Sequence, residues 1–192
     1  MRLLILMVVG LSIAGCVDHR PAPPLVATTR AGNLQAMQAL LDAGADPNQH
    51  DGRQTDWTPL MHAIHKQQLD ALRLLLERGA DPNAATDSGT TPLLLAAIEP
   101  DPRYVELLLA HGANPRVKGE YGDTPLGRAV SGGLLADIDR PLVGGCHGAT
   151  VRALLAHDSS LRLPEGWAGR EARFAAWLKG CDDVLRLVDS RQ

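Results

Sequence analysis

Thr58-Pro59-Leu60, followed by Leu75-Leu76-Glu77-Arg78-Gly79-Ala80-Asp81-Pro82-Asn83, decides the fold of this 192-residue chain. Both motifs return. Thr91-Pro92-Leu93 and Thr124-Pro125-Leu126 repeat the first at a spacing of 33. Leu40-Leu41-Asp42-Ala43-Gly44-Ala45-Asp46-Pro47-Asn48 and Leu108-Leu109-Ala110-His111-Gly112-Ala113-Asn114-Pro115 repeat the second. Two independent motifs with one period mark a stack of similar units. Thr-Pro opens a helix: the Thr oxygen caps free N–H groups, and Pro at the first helical position loses no hydrogen bond. Leu60, Ala63 and Ile64 give one helical face, and Leu72, Leu75 and Leu76 a second. Gly79 ends the second helix in a left-handed conformation. Asp81-Pro82-Asn83 cannot continue it and starts a turn. One such helix pair cannot bury both faces, so pairs must stack.

Composition agrees. Hydrophobic residues make up 45% of the chain and charged residues 21%, which excludes a disordered chain. Aromatic residues are only 3%. A core of Leu, Ala, Val and Ile favours packed helices over a β-sandwich. A net charge of −3 and a pI near 6.1 argue against a nucleic-acid partner.

The repeated motifs resemble the ankyrin repeat, and the resemblance covers residues 23–163. It implies an all-α ankyrin-repeat solenoid of about four repeats plus a divergent C-terminal capping helix pair in residues 164–192. Repeat one ends at Asn48, repeat two spans 49–83, repeat three 84–116, and repeat four begins near 117. The distance from His111 to His157 is 46 rather than 33, which places an insertion near residues 134–146. After Pro164, an amphipathic segment with Trp167, Phe174 and Trp177 precedes Gly180, and a helix over 182–188 follows. One feature departs from the family. The His that usually follows Thr-Pro-Leu, and supports hydrogen bonds between repeats, is Met61, Leu94 and Gly127 here.

The N-terminus reads differently. Arg2 precedes an apolar run from Leu3 to Ala14, too short for the roughly 20 residues of a membrane span. Ile13-Ala14-Gly15-Cys16 resembles the lipobox of bacterial lipoproteins. The resemblance implies a signal peptide over residues 1–15, cleavage before Cys16 and lipidation of Cys16. Val17 in the mature second position favours the outer membrane, periplasmic face. Residues 16–22 form a tether, with Pro21 ahead of Pro23 and Pro24. At about 3.3 Å per residue it reaches roughly 20 Å.

Chemistry is sparse. His62 and His65 stand one helical turn apart, a spacing that can share a metal, but no third ligand accompanies them. They read as exposed residues of the concave face. The sequence contains no nucleophile elbow, phosphate loop or metal-hydrolase motif. It predicts a non-enzyme without cofactor or metal. Beyond Cys16 two cysteines remain, Cys146 and Cys181. In an oxidising compartment they pair or stay as two buried thiols. Each precedes an outer helix of successive units, and such helix starts are neighbours, which favours the disulfide.

Ankyrin stacks bind proteins through their inner helices and hairpin tips. Carrying the family's register across places Arg30, His62, His65, Leu95, Ile98 and Arg128 outward, with Glu99 and Ser131 beside them. The hairpin tips hold Asp51, Arg53, Trp57, Thr86 and Tyr121. Trp57 reads equally well as an interface anchor or as local packing against the Thr-Pro-Leu turn. The expected function is a lipid-anchored, periplasm-facing protein that binds and inhibits a protein partner. By analogy of architecture it is an immunity protein against a secreted toxin such as a phospholipase. The alternatives are an envelope scaffold or stress-related adaptor to an envelope enzyme, and a His-dependent metal-binding protein.

Overall fold

The computed structural model describes residues 21–52, 55–132 and 145–190. Within them the secondary structure is helical, without strands. Ten helices occur in chain order: α1 (Pro24–Arg30), α2 (Leu34–Asp42), α3 (Pro59–His65), α4 (Leu69–Glu77), α5 (Pro92–Ala96), α6 (Arg103–Ala110), α7 (Pro125–Ser131), α8 (Gly148–His157), α9 (Trp167–Leu178) and α10 (Asp182–Asp189). The expected leader over 1–15, Cys16, most of the expected tether, Arg53 and nearly all of the expected 134–146 insertion lie outside the described residues.

Odd-numbered helices form one layer and even-numbered helices the other. α1 packs on α3, α3 on α5 and α5 on α7; α2 packs on α4, α4 on α6 and α6 on α8. α9 packs on α7 and α10 on α8, so the last pair continues both layers. The core runs unbroken between them through Leu25, Met37, Leu60, Leu72, Leu93, Leu108, Leu126 and Leu154.

The repeated residues act as the sequence predicts. The hydroxyls of Thr58, Thr91 and Thr124 accept the N–H groups of Met61, Leu94 and Gly127 at 3.4, 3.4 and 3.2 Å, with Pro next in each helix. Gly79 ends α4 at φ +86°, a conformation that L side chains rarely adopt. Asp46 and Asp81 each accept the backbone N–H two residues on, at 2.8 Å. That fold-back aims Asn48 and Asn83 at the next repeat.

Those two asparagines bridge the repeats. Asn48 donates to Gly79 O at 3.3 Å and accepts from Asp81 N at 2.7 Å. Asn83 does the same with Gly112 O at 2.9 Å and Asn114 N at 2.7 Å. Each amide thus satisfies a carbonyl and an N–H of the following turn. At the next equivalent position stands Arg116, whose longer side chain donates to Asp158 at 2.6 Å and to Ser160. This ladder links the repeats that lack the family's His, and Met61 and Leu94 are fully buried in its place.

Cys146 and Cys181 form a disulfide with a Cα–Cα distance of 6.1 Å. Cys146 lies just ahead of α8, and Cys181 is the N-cap of α10. The bridge therefore pins the start of one outer helix to the start of the next. Lys179 adds a polar tie, donating to Ser131 O at 2.8 Å.

Candidate interaction face

The inner helices and the loops before them build the face on which the candidate residues fall. Each loop closes by a backbone hydrogen bond: Asp51 N to Trp57 O at 2.9 Å, Thr86 N to Thr90 O at 3.0 Å, and Gly119 N to Asp123 O at 2.9 Å. Closure fixes where the intervening side chains project.

The first loop does not present the residues as expected. Asp51 and His62, both read as outward, are buried at 6% exposure. His62 Nε2 lies 3.0 Å from Asp51 Oδ2, and the Thr55 hydroxyl donates to the same oxygen at 3.1 Å. Burial lowers the His62 pKa below 6.5; the hydrogen bond and charge of Asp51 oppose this, while Arg30 and His65 reinforce it more weakly. His62, in the last turn of α3, faces the loop that Asp51 and Trp57 close, so its ring meets Asp51 before it meets solvent.

Trp57 is half-buried over this pair. Its ring centroid is 5.4 Å from His62 and 5.1 Å from His65, with interplanar angles of 63° and 67°. Edge contacts of this kind orient aromatic rings. Trp57 therefore packs locally, and it keeps an open edge beside the half-buried His65. The two histidines are not presented as a ligand pair, since His62 Nε2 faces Asp51. Among the described residues no group of three or more His, Cys, Asp or Glu is placed to hold a metal ion.

Further along, the face alternates between structural and open positions. Glu99 and Ser131 are buried rather than outward, and the Gln67 amide donates to Glu99 Oε2 at 2.9 Å. Thr86 is buried at its loop tip, where its hydroxyl accepts Thr90 N at 3.1 Å. Arg128 is not free either. It donates to Asp123 and, at 3.2 Å, to Leu94 O, tying α7 to α5. Leu95 and Ile98 are half-buried. Arg30 and Lys66 are exposed, and Tyr121 is 71% exposed.

One further surface lies on α9. α9 buries Gly169, Ala172, Ala175 and Ala176 and exposes Trp167, Phe174 and Trp177. The spacing of the aromatics marks a helical face, but periodicity does not say which of two faces meets the core. The signal lay in the small residues: Gly169 has Pro164 O within 1.8 Å of where a Cβ would stand, so only glycine fits that contact.

No helix among the described residues is long and apolar enough to cross a membrane. No curated protein matches the chain. A family model described as ankyrin repeats in three copies matches residues 2–86, and one for a single ankyrin repeat matches residues 88–120. With two matched segments spanning more than half of its length, and paired helices stacked in two layers by capped, bridged turns, the chain belongs to the ankyrin-repeat family.

Proposed function

We propose that this protein is a lipid-tethered binder of one protein partner on the periplasmic side of a bacterial envelope, acting as an inhibitor. Ankyrin stacks are protein-interaction modules and generally not enzymes, and that much belongs to the fold. The observation that carries the reading is a set of outward side chains with no part in holding the stack. Tyr121 is 71% exposed at a loop tip, and Arg30 and Lys66 project from the C-terminal ends of successive inner helices. Half-buried Ile98, and the part of Trp57 not packed on the two histidines, leave apolar area beside them, while Leu95 packs partly against the core. Aromatic and arginine side chains at such positions are typical interface anchors.

The lipobox-like Ile13-Ala14-Gly15-Cys16 supports the tether. A stable lipid anchor holds an inhibitor where a membrane-directed toxin would act. The sharpest form is an immunity protein against a toxin such as a secreted phospholipase. The test is rescue. An exported toxin, sought first among phospholipases encoded near this gene, is expressed in the periplasm with and without this protein. Survival only with the protein, weakened by Tyr121→Ala and by Cys16→Ser, supports the reading. Toxicity unaffected by the wild-type chain overturns the inhibitor role.

A further inference from the structure

α9 is packed with its bulky side outward. Its exposed residues are Trp167 (57%), Arg170, Phe174 (56%), Trp177 (63%) and Leu178 (62%). Among the described residues six large hydrophobics are exposed, and four are on this helix. At 100° per residue these five positions fall on one arc. The Phe174 and Trp177 rings lie 5.9 Å apart, so the arc is a mainly apolar strip with Arg170 within it. A monomer rarely leaves such a strip uncovered.

The chemistry of the strip is narrow. Arg170 is the one charge among the exposed residues of α9. Arg173 donates to Asp189, and Lys179 is held by the Ser131 carbonyl. Glu171 is turned off the arc and half-buried, and burial raises its pKa. What remains is two indoles, a phenyl ring, a leucyl and one guanidinium. Tryptophan rings settle at the headgroup level of a bilayer, and Arg pairs with phosphate there. Beyond the indole N–H groups and that guanidinium, the strip carries no polar group.

We propose that the exposed face of α9 lies in the headgroup region of a phospholipid bilayer. The inference rests on the tether reading for how the chain comes to the membrane. A tether of roughly 20 Å leaves the α1 end close to the surface. α9 lies four inner-helix steps away, about 35 Å at 8–10 Å per step. Contact at α9 therefore lays the solenoid along the membrane. A strip of four apolar side chains binds weakly alone, but tethering raises its effective concentration.

The chain has three tryptophans, which makes the test direct. Full-length protein is reconstituted into vesicles of equal parts phosphatidylcholine and phosphatidylglycerol, with either ordinary or brominated acyl chains. Trp57→Phe leaves only the α9 indoles as reporters; Trp167→Phe with Trp177→Phe leaves only Trp57. The expected result is strong bromolipid quenching of the Trp57→Phe chain and little of the double variant. Circular dichroism confirms that both fold. Equal emission of the Trp57→Phe chain in both vesicle types overturns the proposal, as does equal quenching of both variants. A concentration-dependent dimer in lipid-free solution that blue-shifts the α9 indoles also overturns it, and assigns the strip to a second copy. Vesicle co-sedimentation of Cys16→Ser against wild type tests the tether separately. Loss of quenching with sedimentation intact counts against α9 alone.

Discussion

The Nε2 of His62 lies 3.0 Å from a carboxylate oxygen of Asp51, eleven residues earlier, across the loop that precedes α3. Both side chains are buried, so the pair closes the loop at its base. Removing the carboxylate leaves the imidazole and the Thr55 hydroxyl without this acceptor. Asp51→Ala should destabilise the fold by about 1–3 kcal/mol. Urea denaturation measures this; a midpoint equal to that of wild type would show that the pair contributes nothing.

His62 also sets a pH dependence. Burial holds its pKa below 6.5 in the folded protein, so the unfolded chain takes up the proton first as pH falls. Its contribution to stability is full above pH 6.5 and is lost as pH falls through the depressed folded value. His147 shifts in the same direction, through burial first and Lys179 second. Denaturation midpoints should drop as the buffer is taken from pH 7 to pH 5. His62→Gln should flatten that slope; an unchanged slope would assign the dependence elsewhere.

The Cys146–Cys181 bridge closes a loop of sequence separation 35. By the chain-entropy account it adds about 3–4 kcal/mol. Reduction, or paired Ser substitutions, should lower the thermal midpoint. Loss of the capping pair should precede loss of repeats two and three, because the bridge joins α8 to α10 and nothing nearer the N-terminus. Hydrogen exchange resolves the order; uniform loss across the stack would contradict it.

The asparagine ladder predicts a position-specific cost. Asn83→Ala removes two hydrogen bonds to the following repeat, at 2.9 and 2.7 Å. These are partly solvated, so the loss should be about 1–2 kcal/mol. Asn83→Asp keeps the acceptor for Asn114 N but cannot donate to Gly112 O, and should fall between. Equal stability of all three chains would remove the ladder from the account of how the repeats cohere.

Arg128 and Tyr121 should separate structure from binding. Arg128→Ala should weaken the stack, since the guanidinium ties Asp123 and Leu94 O together. Tyr121→Ala should leave the thermal midpoint unchanged and weaken partner binding by more than about 1 kcal/mol. Calorimetry of each variant alone and with partner reads both effects. Full affinity of Tyr121→Ala would move the interface off this loop tip.

Gly169 probes the last helix pair. A Cβ there would stand 1.8 Å from Pro164 O, which belongs to the backbone and cannot swing aside. Gly169→Ala should cost about 1–3 kcal/mol through displacement of α9 from the Pro164 segment it packs against. The exposed Phe174→Ser should cost almost nothing by the same measurement. The reverse ranking would mean that α9 buries its aromatic face.

The repeat architecture was legible from Thr58-Pro59-Leu60 and its echoes because each signal is local. A Thr cap, a Pro at the first helical position, a left-handed Gly79 and an Asp-Pro-Asn turn act within a few residues of themselves, whatever surrounds them. Leucine spacing then fixed which helices stack. The neighbouring starts of α8 and α10 followed from that stacking, and with them the pairing of Cys146 and Cys181. Exposure on the inner face was not legible in the same way. His62, Asp51, Glu99 and Ser131 occupy positions that the register places outward, yet each is drawn inward by a partner or a neighbouring helix that only the packed layers supply. Asn48 and Asn83 look like turn residues until the next repeat brings Gly79 and Gly112 within reach. α9 shows the reason most plainly. Periodicity separates its aromatic face from its alanine face, but which face meets α7 depends on how closely the backbones approach. Gly169 lies against the Pro164 carbonyl in the segment leading into α9, and the Pro164 ring in turn lies 3.5 Å from where a Cβ on Gly127 of α7 would stand, a packing with no trace in the hydrophobic pattern.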